Sequence, residues 1–197
     1  PTIQSGIDAS IAGDSVLVGP GTYNEQINYN GKEIVVLSLD GPDNTHIHHS
    51  SKVVRFDNQE GSGSVLRGFT LYGSGNGDGI YLSWETGPVL QDLVIHNTER
   101  AIYCNSHNDP TISNVTLVDN DYGIYFYSSS NGTTLSNSII WYNNSIPIYV
   151  SQNGSDITIN YSNIQGGLSN IGGLGTVYWG EGNITDNPLF CDVDSDD

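Results

Sequence analysis

Two apolar blocks recur in phase along the chain, and that recurrence constrains the fold more than any other feature. The first block is Leu66–Leu71, Leu90–Ile95, Ile112–Leu117, Leu135–Ile140 and Ile159–Ile164, with first residues 24, 22, 23 and 24 positions apart. The second is Gly79-Ile-Tyr-Leu82, Ala101-Ile-Tyr-Cys104, Gly123-Ile-Tyr-Phe126 and Pro147-Ile-Tyr-Val150, with isoleucines 22, 22 and 24 apart. Two blocks that keep step at a fixed period mean one supersecondary unit written several times.

The period and its chemistry select the architecture. Each unit holds two or three short runs rich in Ile, Val, Leu, Tyr and Thr, separated by Asn, Gly, Ser and Asp. That is strand and turn chemistry. No unit holds the run of about 10–15 residues that an amphipathic helix needs. The spacing predicts an all-β chain, a parallel β-helix in which each strand pairs with its equivalent about 4.8 Å along the axis. A leucine-rich repeat of similar period needs a leucine and asparagine spacing that is absent here. Parallel crossovers are almost always right-handed, so the right-handed form is expected.

Alternation along each strand then assigns faces. Ile80 and Leu82 should point inward, with Ile102 and Cys104, Ile124 and Phe126, and Ile148 and Val150 stacked on them. In the other block Leu66, Phe69 and Leu71, and their equivalents Leu90, Leu93 and Ile95, should do the same. Asp92, Asn114 and Asn137 fall between the inward residues, where they suit a tight bend and a ladder of stacked amides.

The rest of the chain reads as one elongated domain over 1–190. Residues 1–13 form an N-terminal cap, 14–65 irregular first coils, 66–164 the regular coils and 165–190 a C-terminal coil or cap. Ile3, Ile7 and Ile11 lie four apart, one face of a short helix that can cover the open hydrophobic end of the first coil. With 5 Lys plus Arg against 22 Asp plus Glu, the net charge is −17. That charge argues against nucleic acid or an anionic membrane surface as partner. No run approaches the roughly 18 apolar residues of a membrane span, so direct membrane insertion is not expected.

Ile3-Gln4, Ile7-Asp8, Gly13-Asp14, Val16-Leu-Val18 and Pro20-Gly-Thr-Tyr23 resemble the opening of secreted proteins with the pectin-lyase-like right-handed β-helix. The Gly-Ile-Tyr repeats and the closing Gly182-Asn-Ile-Thr-Asp-Asn-Pro-Leu-Phe190 resemble the same superfamily. The resemblance implies an extracellular or cell-surface location. It also implies a further strand after Asp197, and the start at Pro1 rather than Met leads to the expectation of a processed product or an excised fragment. It does not choose a function, because this superfold hosts lyases, hydrolases, epimerases, adhesins and inert spacers.

Three groups of residues are candidates for function. Tyr81, Tyr103, Tyr125 and Tyr149 should point outward and stack one strand apart, forming a flat aromatic strip on which sugar rings can lie. The same column would also stabilise a parallel sheet by in-register contact alone. The second group is the ridge of turns before each Gly-Ile-Tyr block, where Asp78, Arg100 and Tyr122 stack with Glu99 and Asp121 beside them. Tyr72, His96, Val118 and Trp141 stack on the same side. These are side chains for acid–base work, or for holding Ca²⁺ and an acidic sugar. The third group is Asp192, Asp194 and Asp196, a run like the start of a calcium loop but lacking its glycine and distal glutamate. A stretch of 191–197 is thus an acidic tail that is expected to be truncated.

Other residues are assigned blander roles. His46, His48 and His49 read as surface or turn residues without a metal-site pattern. Cys104 falls at an inward position, and Cys191 lies coils away, too far for a disulfide with it. Pectate-lyase-like catalysis needs a carboxylate cluster for Ca²⁺ and a basic residue, and no matching triplet is evident. The signature motifs of polygalacturonase-like hydrolases are absent. The leading expectation is a recognition module for a polysaccharide or cell-surface glycan, requiring no cofactor beyond possible Ca²⁺. The alternatives are a lyase or hydrolase of acidic glycans, and a structural or adhesive rod that self-associates.

Overall fold

The computed structural model describes residues 2–128, 130–152 and 154–190. Its strands pair in parallel and stack into three sheets, each coil contributing one rung to each. The first sheet holds Ser15–Val18, Val35–Ser38, Val65–Arg67, Thr133–Ser136, Asp156–Asn160 and Thr176–Trp179. The second holds Gly21–Asn24, Thr45–His48, Thr70–Tyr72, Ile139–Trp141 and Asn163–Ile164. Between them, Val89–His96 and Thr111–Val118 run on continuously and belong to both. The third sheet comprises Ile27–Asn28, Val54–Phe56, Asp78–Leu82, Arg100–Cys104, Tyr122–Phe126, Ile146–Val150 and Gly172–Gly173.

The register is the one the repeat demands. Leu66, Leu90, Ile112, Leu135 and Ile159 are successive partners on the first sheet. Ile80, Ile102, Ile124 and Ile148 are partners on the third. All of these side chains are fully buried, as is Cys104 between Leu82 and Phe126. Burying each aliphatic column contributes about 1.5–3 kcal/mol per side chain. A one-residue slip would turn every column outward, so the pairing is held firmly.

Bends between sheets are made by single left-handed residues. Gly68, Asp92, Asn114, Asn137 and Tyr161 occupy one column at φ of 82°, 54°, 53°, 51° and 50°. Asn and Asp tolerate this region better than most residues. In this column the expected ladder has one rung, Asn114 Nδ2 donating to Asp92 Oδ1 at 3.1 Å on the solvent side. A second, buried ladder forms inside a different corner. Asn120 Oδ1 accepts from the Thr98 amide and hydroxyl at 3.0 and 2.7 Å, and Asn143 Oδ1 accepts from the Asn120 amide at 3.2 Å. Asn120 Nδ2 donates to the Ile95 and Val118 carbonyls, so the backbone turning inward is satisfied by side chains. Similar buried polar columns fill the other corners, through Thr86, Asn108, Ser130 and Ser155 and through Ser138 and Ser162.

The cap is a helix over Ile3–Ala9, opened by a reciprocal capping box between Thr2 and Ser5. Ile3 and Ile7 are buried against the first coil, but Ile11 is 72% exposed. The helix stops before Ile11 because Lys32 Nζ takes the carbonyls of Ile7, Asp8 and Ser10, which closes the last turn. The first coils are irregular only in their turns. Val35 still pairs with Val65 and Val36 with Leu66. His46 and His48, read from sequence as surface or turn residues, lie on the strand Thr45–His48.

Candidate functional site

The outer face of the third sheet collects most of the residues singled out from the sequence. Tyr81, Tyr103, Tyr125 and Tyr149 are successive partners there, and each is half-buried. The column is in register, but the expected flat strip is not formed. Tyr81 and Tyr103 are tilted by 56°, and Tyr103 and Tyr125 by 66°; only Tyr125 and Tyr149 stack, at 26° and 4.8 Å. The cause is that the protein's own cations take ring faces. Lys52 Nζ lies 4.0 Å over Tyr81, and the Arg100 guanidinium lies 3.8 Å over Tyr103. Asn105 ties the phenol ends together, accepting from the Tyr103 hydroxyl at 3.0 Å and donating to that of Tyr81 at 3.1 Å.

The ridge of turns comes to the same face. Gly77 at φ 88° makes the bend before Asp78, in a place where a Cβ would collide with the Ser51 carbonyl. Asp78 is buried and pairs in register with Arg100, whose Nε donates to Asp78 Oδ1 at 2.7 Å. Burial pushes the Asp78 carboxyl up from its ordinary range, while the Arg100 charge pulls the other way. Glu99 lies 3.7 Å from Arg100 on its exposed side. Asp121 is one coil further on and accepts from Asn144 Nδ2 at 3.1 Å. The tyrosine column and the Asp78–Arg100 ridge are therefore one surface.

Some residues of this surface escaped the sequence reading. Arg55 is the register partner of Tyr81 and is paired with Asp57, and Lys52 covers the Tyr81 ring. Lys52, Arg55 and Arg100 are three of the chain's five Lys and Arg residues. The available signal was Arg55, which stands one repeat before Tyr81. Burial raises the Tyr103 and Tyr125 phenols, so both stay protonated donors at neutral pH. On the second sheet His48, Tyr72 and His96 stack at 4.6 and 5.5 Å, and burial lowers His96. Trp141, at the end of that column, is buried and donates to Asn163 at 2.8 Å.

Among the described residues, no group of three His, Cys, Asp or Glu side chains is arranged to hold a metal ion. Asp192, Asp194 and Asp196 lie outside the described residues, as does Cys191. No helix among the described residues is long and apolar enough to cross a membrane.

Parallel coils with inward aliphatic columns, polar corner ladders and a helical lid define a β-helix protein. Residues 43–189 match the family described as right handed beta helix region, and the chain belongs to that family. No curated protein and no solved structure matches the chain. The fold supports a carbohydrate-related or structural role.

Proposed function

We propose that the protein is an extracellular or cell-surface recognition module that binds a polysaccharide strand along the outer face of the third sheet. The observation that carries this reading is the in-register, half-exposed column Tyr81, Tyr103, Tyr125 and Tyr149. A polymer of sugar rings presents repeated C–H faces and hydroxyls, which match a row of phenol rings with hydroxyl and amide groups at their ends. Concentration of three of five cations on one face of a chain of net charge −17 adds donors where the rest of the surface repels anions.

A glycan array run beside a polysaccharide-depolymerisation screen, with and without Ca²⁺, tests the reading. Binding without turnover that falls about fivefold for each of Tyr103→Ala and Tyr125→Ala is expected. Undiminished binding in both variants would overturn it. Dependence on Ca²⁺ would favour a metal role for Asp192, Asp194 and Asp196.

The runner-up is a lyase or hydrolase of acidic glycans using Asp78, Glu99, Arg100 and Asp121. A buried carboxyl shifted upward beside an arginine favours it, since such groups serve as acids in clefts. New reducing or unsaturated ends in the screen, lost in Asp78→Asn, would put it first. A third reading is a structural or adhesive rod. It rests on the Thr176–Trp179 strand, which pairs with Asp156–Asn160 on one side at the C-terminal end of its sheet. Concentration-dependent association without glycan binding would favour it.

A further inference from the structure

We infer that a second carbohydrate subsite, for one neutral sugar residue, lies where the chain leaves the third sheet, walled by Trp84, Asp57, Asn58 and Gln59. The inference rests on the glycan reading above and extends it to a place the tyrosine column does not reach. These four side chains line one open pocket between two successive coils.

Trp84 sets this pocket apart. It is 69% exposed, whereas Trp141 is buried and Trp179 half-buried. Its backbone is left-handed at φ 63°, and Glu85 follows at 59°. A bulky aromatic in that region is strained, and holding its ring in water forgoes the burial that most tryptophans gain. Most of the ring therefore stays in solvent, open to contact with a ligand.

The opposite wall is rigid. Gln59 is also left-handed at φ 62°. The Glu60 carboxylate beneath it is fully buried and accepts from the Asn58 amide at 2.9 Å and the Gly31 amide at 2.8 Å. Backbone bonds from Ser83 to the Phe56 carbonyl and from Gly87 to the Glu60 carbonyl, both 2.9 Å, tie the Trp84 turn to the coil below. The platform and the polar wall thus hold a set distance without ligand, which lowers the ordering cost of binding.

The chemistry selects a neutral sugar. An indole face suits the C–H face of a pyranose, and the Asn58 and Gln59 side-chain amides can both donate to and accept from hydroxyls. Asp57 is already paired with Arg55. Glu60 and Glu85 remain as local negative charges on a chain of net charge −17, so an anionic sugar is disfavoured.

Tryptophan emission and calorimetry distinguish this subsite from the tyrosine face. The probes are cellohexaose, xylohexaose, chitohexaose and hexagalacturonate, each with its di- and trisaccharide. The proteins are the intact chain, Trp84→Phe, Asn58→Ala and the Tyr103→Ala/Tyr125→Ala double variant. We expect a neutral di- or trisaccharide to shift the emission of the intact chain and of the double tyrosine variant. Trp84→Phe should weaken that binding about fivefold and Asn58→Ala by a similar factor. A hexasaccharide that binds through the tyrosines yet leaves emission and Trp84→Phe affinity unchanged would overturn the subsite and keep the tyrosine reading. A hexasaccharide that shifts the emission yet binds the double tyrosine variant as tightly as the intact chain would keep the subsite and remove that reading. Response to hexagalacturonate alone overturns the neutral assignment, and silence with every probe overturns both.

Discussion

Arg100 lies with its guanidinium 3.8 Å over the ring of Tyr103 while its Nε donates to the buried Asp78 carboxylate at 2.7 Å. One side chain thereby neutralises a charge under the surface and sets the tilt of a ring on it. Alignment of the tyrosine column is a property of the backbone, but the presentation of its rings depends on this cation.

Arg100→Ala should cost about 3 kcal/mol in urea unfolding, because it strands a buried carboxylate. The Tyr103 ring, freed from its cation, should also change its near-ultraviolet circular dichroism. Asp78→Asn should be the milder change, since an amide needs no counter-charge.

Asp78 makes a pH signature with a definite sign. Its carboxyl is raised from 3.8 by burial, so the folded state holds the proton more tightly than the unfolded state does. Its contribution to stability is full below the unfolded value and is lost as pH rises through the folded value. Urea midpoints measured from pH 3 upward should show this decline in the intact chain and a flatter profile in Asp78→Asn.

Two asparagines of like appearance should respond to different degrees. Asn120→Ala removes the acceptor for the Thr98 amide and hydroxyl inside the corner, and should cost about 2–3 kcal/mol. Asn114→Ala should cost less, since its side chain is exposed. Asn114→Val, a β-branched residue at φ 53°, should cost about 1–2 kcal/mol, whereas Asn114→Gly should be nearly neutral. Thermal melts of the four variants check the ranking.

Cys104 should be inert in the folded protein. Burial pushes its thiol well above the usual range, and no thiolate forms near neutral pH. In a Cys191→Ser background, a thiol reagent at pH 8 should react only as fast as the protein unfolds, and at once in urea.

The period of 22 to 24 residues was sufficient to place Ile80, Ile102, Ile124 and Ile148 in one buried column and the tyrosines beside them in one outward column. Parity along a strand and identity between coils are local properties, and both are written in the residue order. The bends were also legible: Asp92, Asn114 and Asn137 all take the left-handed conformation. Ile11 was not, because the end of the helix is set by Lys32, a residue from the first coil that reaches back to the helix carbonyls.

Only the tertiary structure decided what the outward residues meet. Lys52 precedes Tyr81 by more than one coil, and Arg100 stands three residues before Tyr103, yet each sits over a ring. Repetition dictates which positions line up from coil to coil. It does not dictate which side chains of one face lean onto which rings, since that depends on the partners each long side chain finds, as Arg100 finds Asp78. The amides chosen for the interior ladder, the tilt of the tyrosines and the exposure of Trp84 are likewise settled by the tertiary structure.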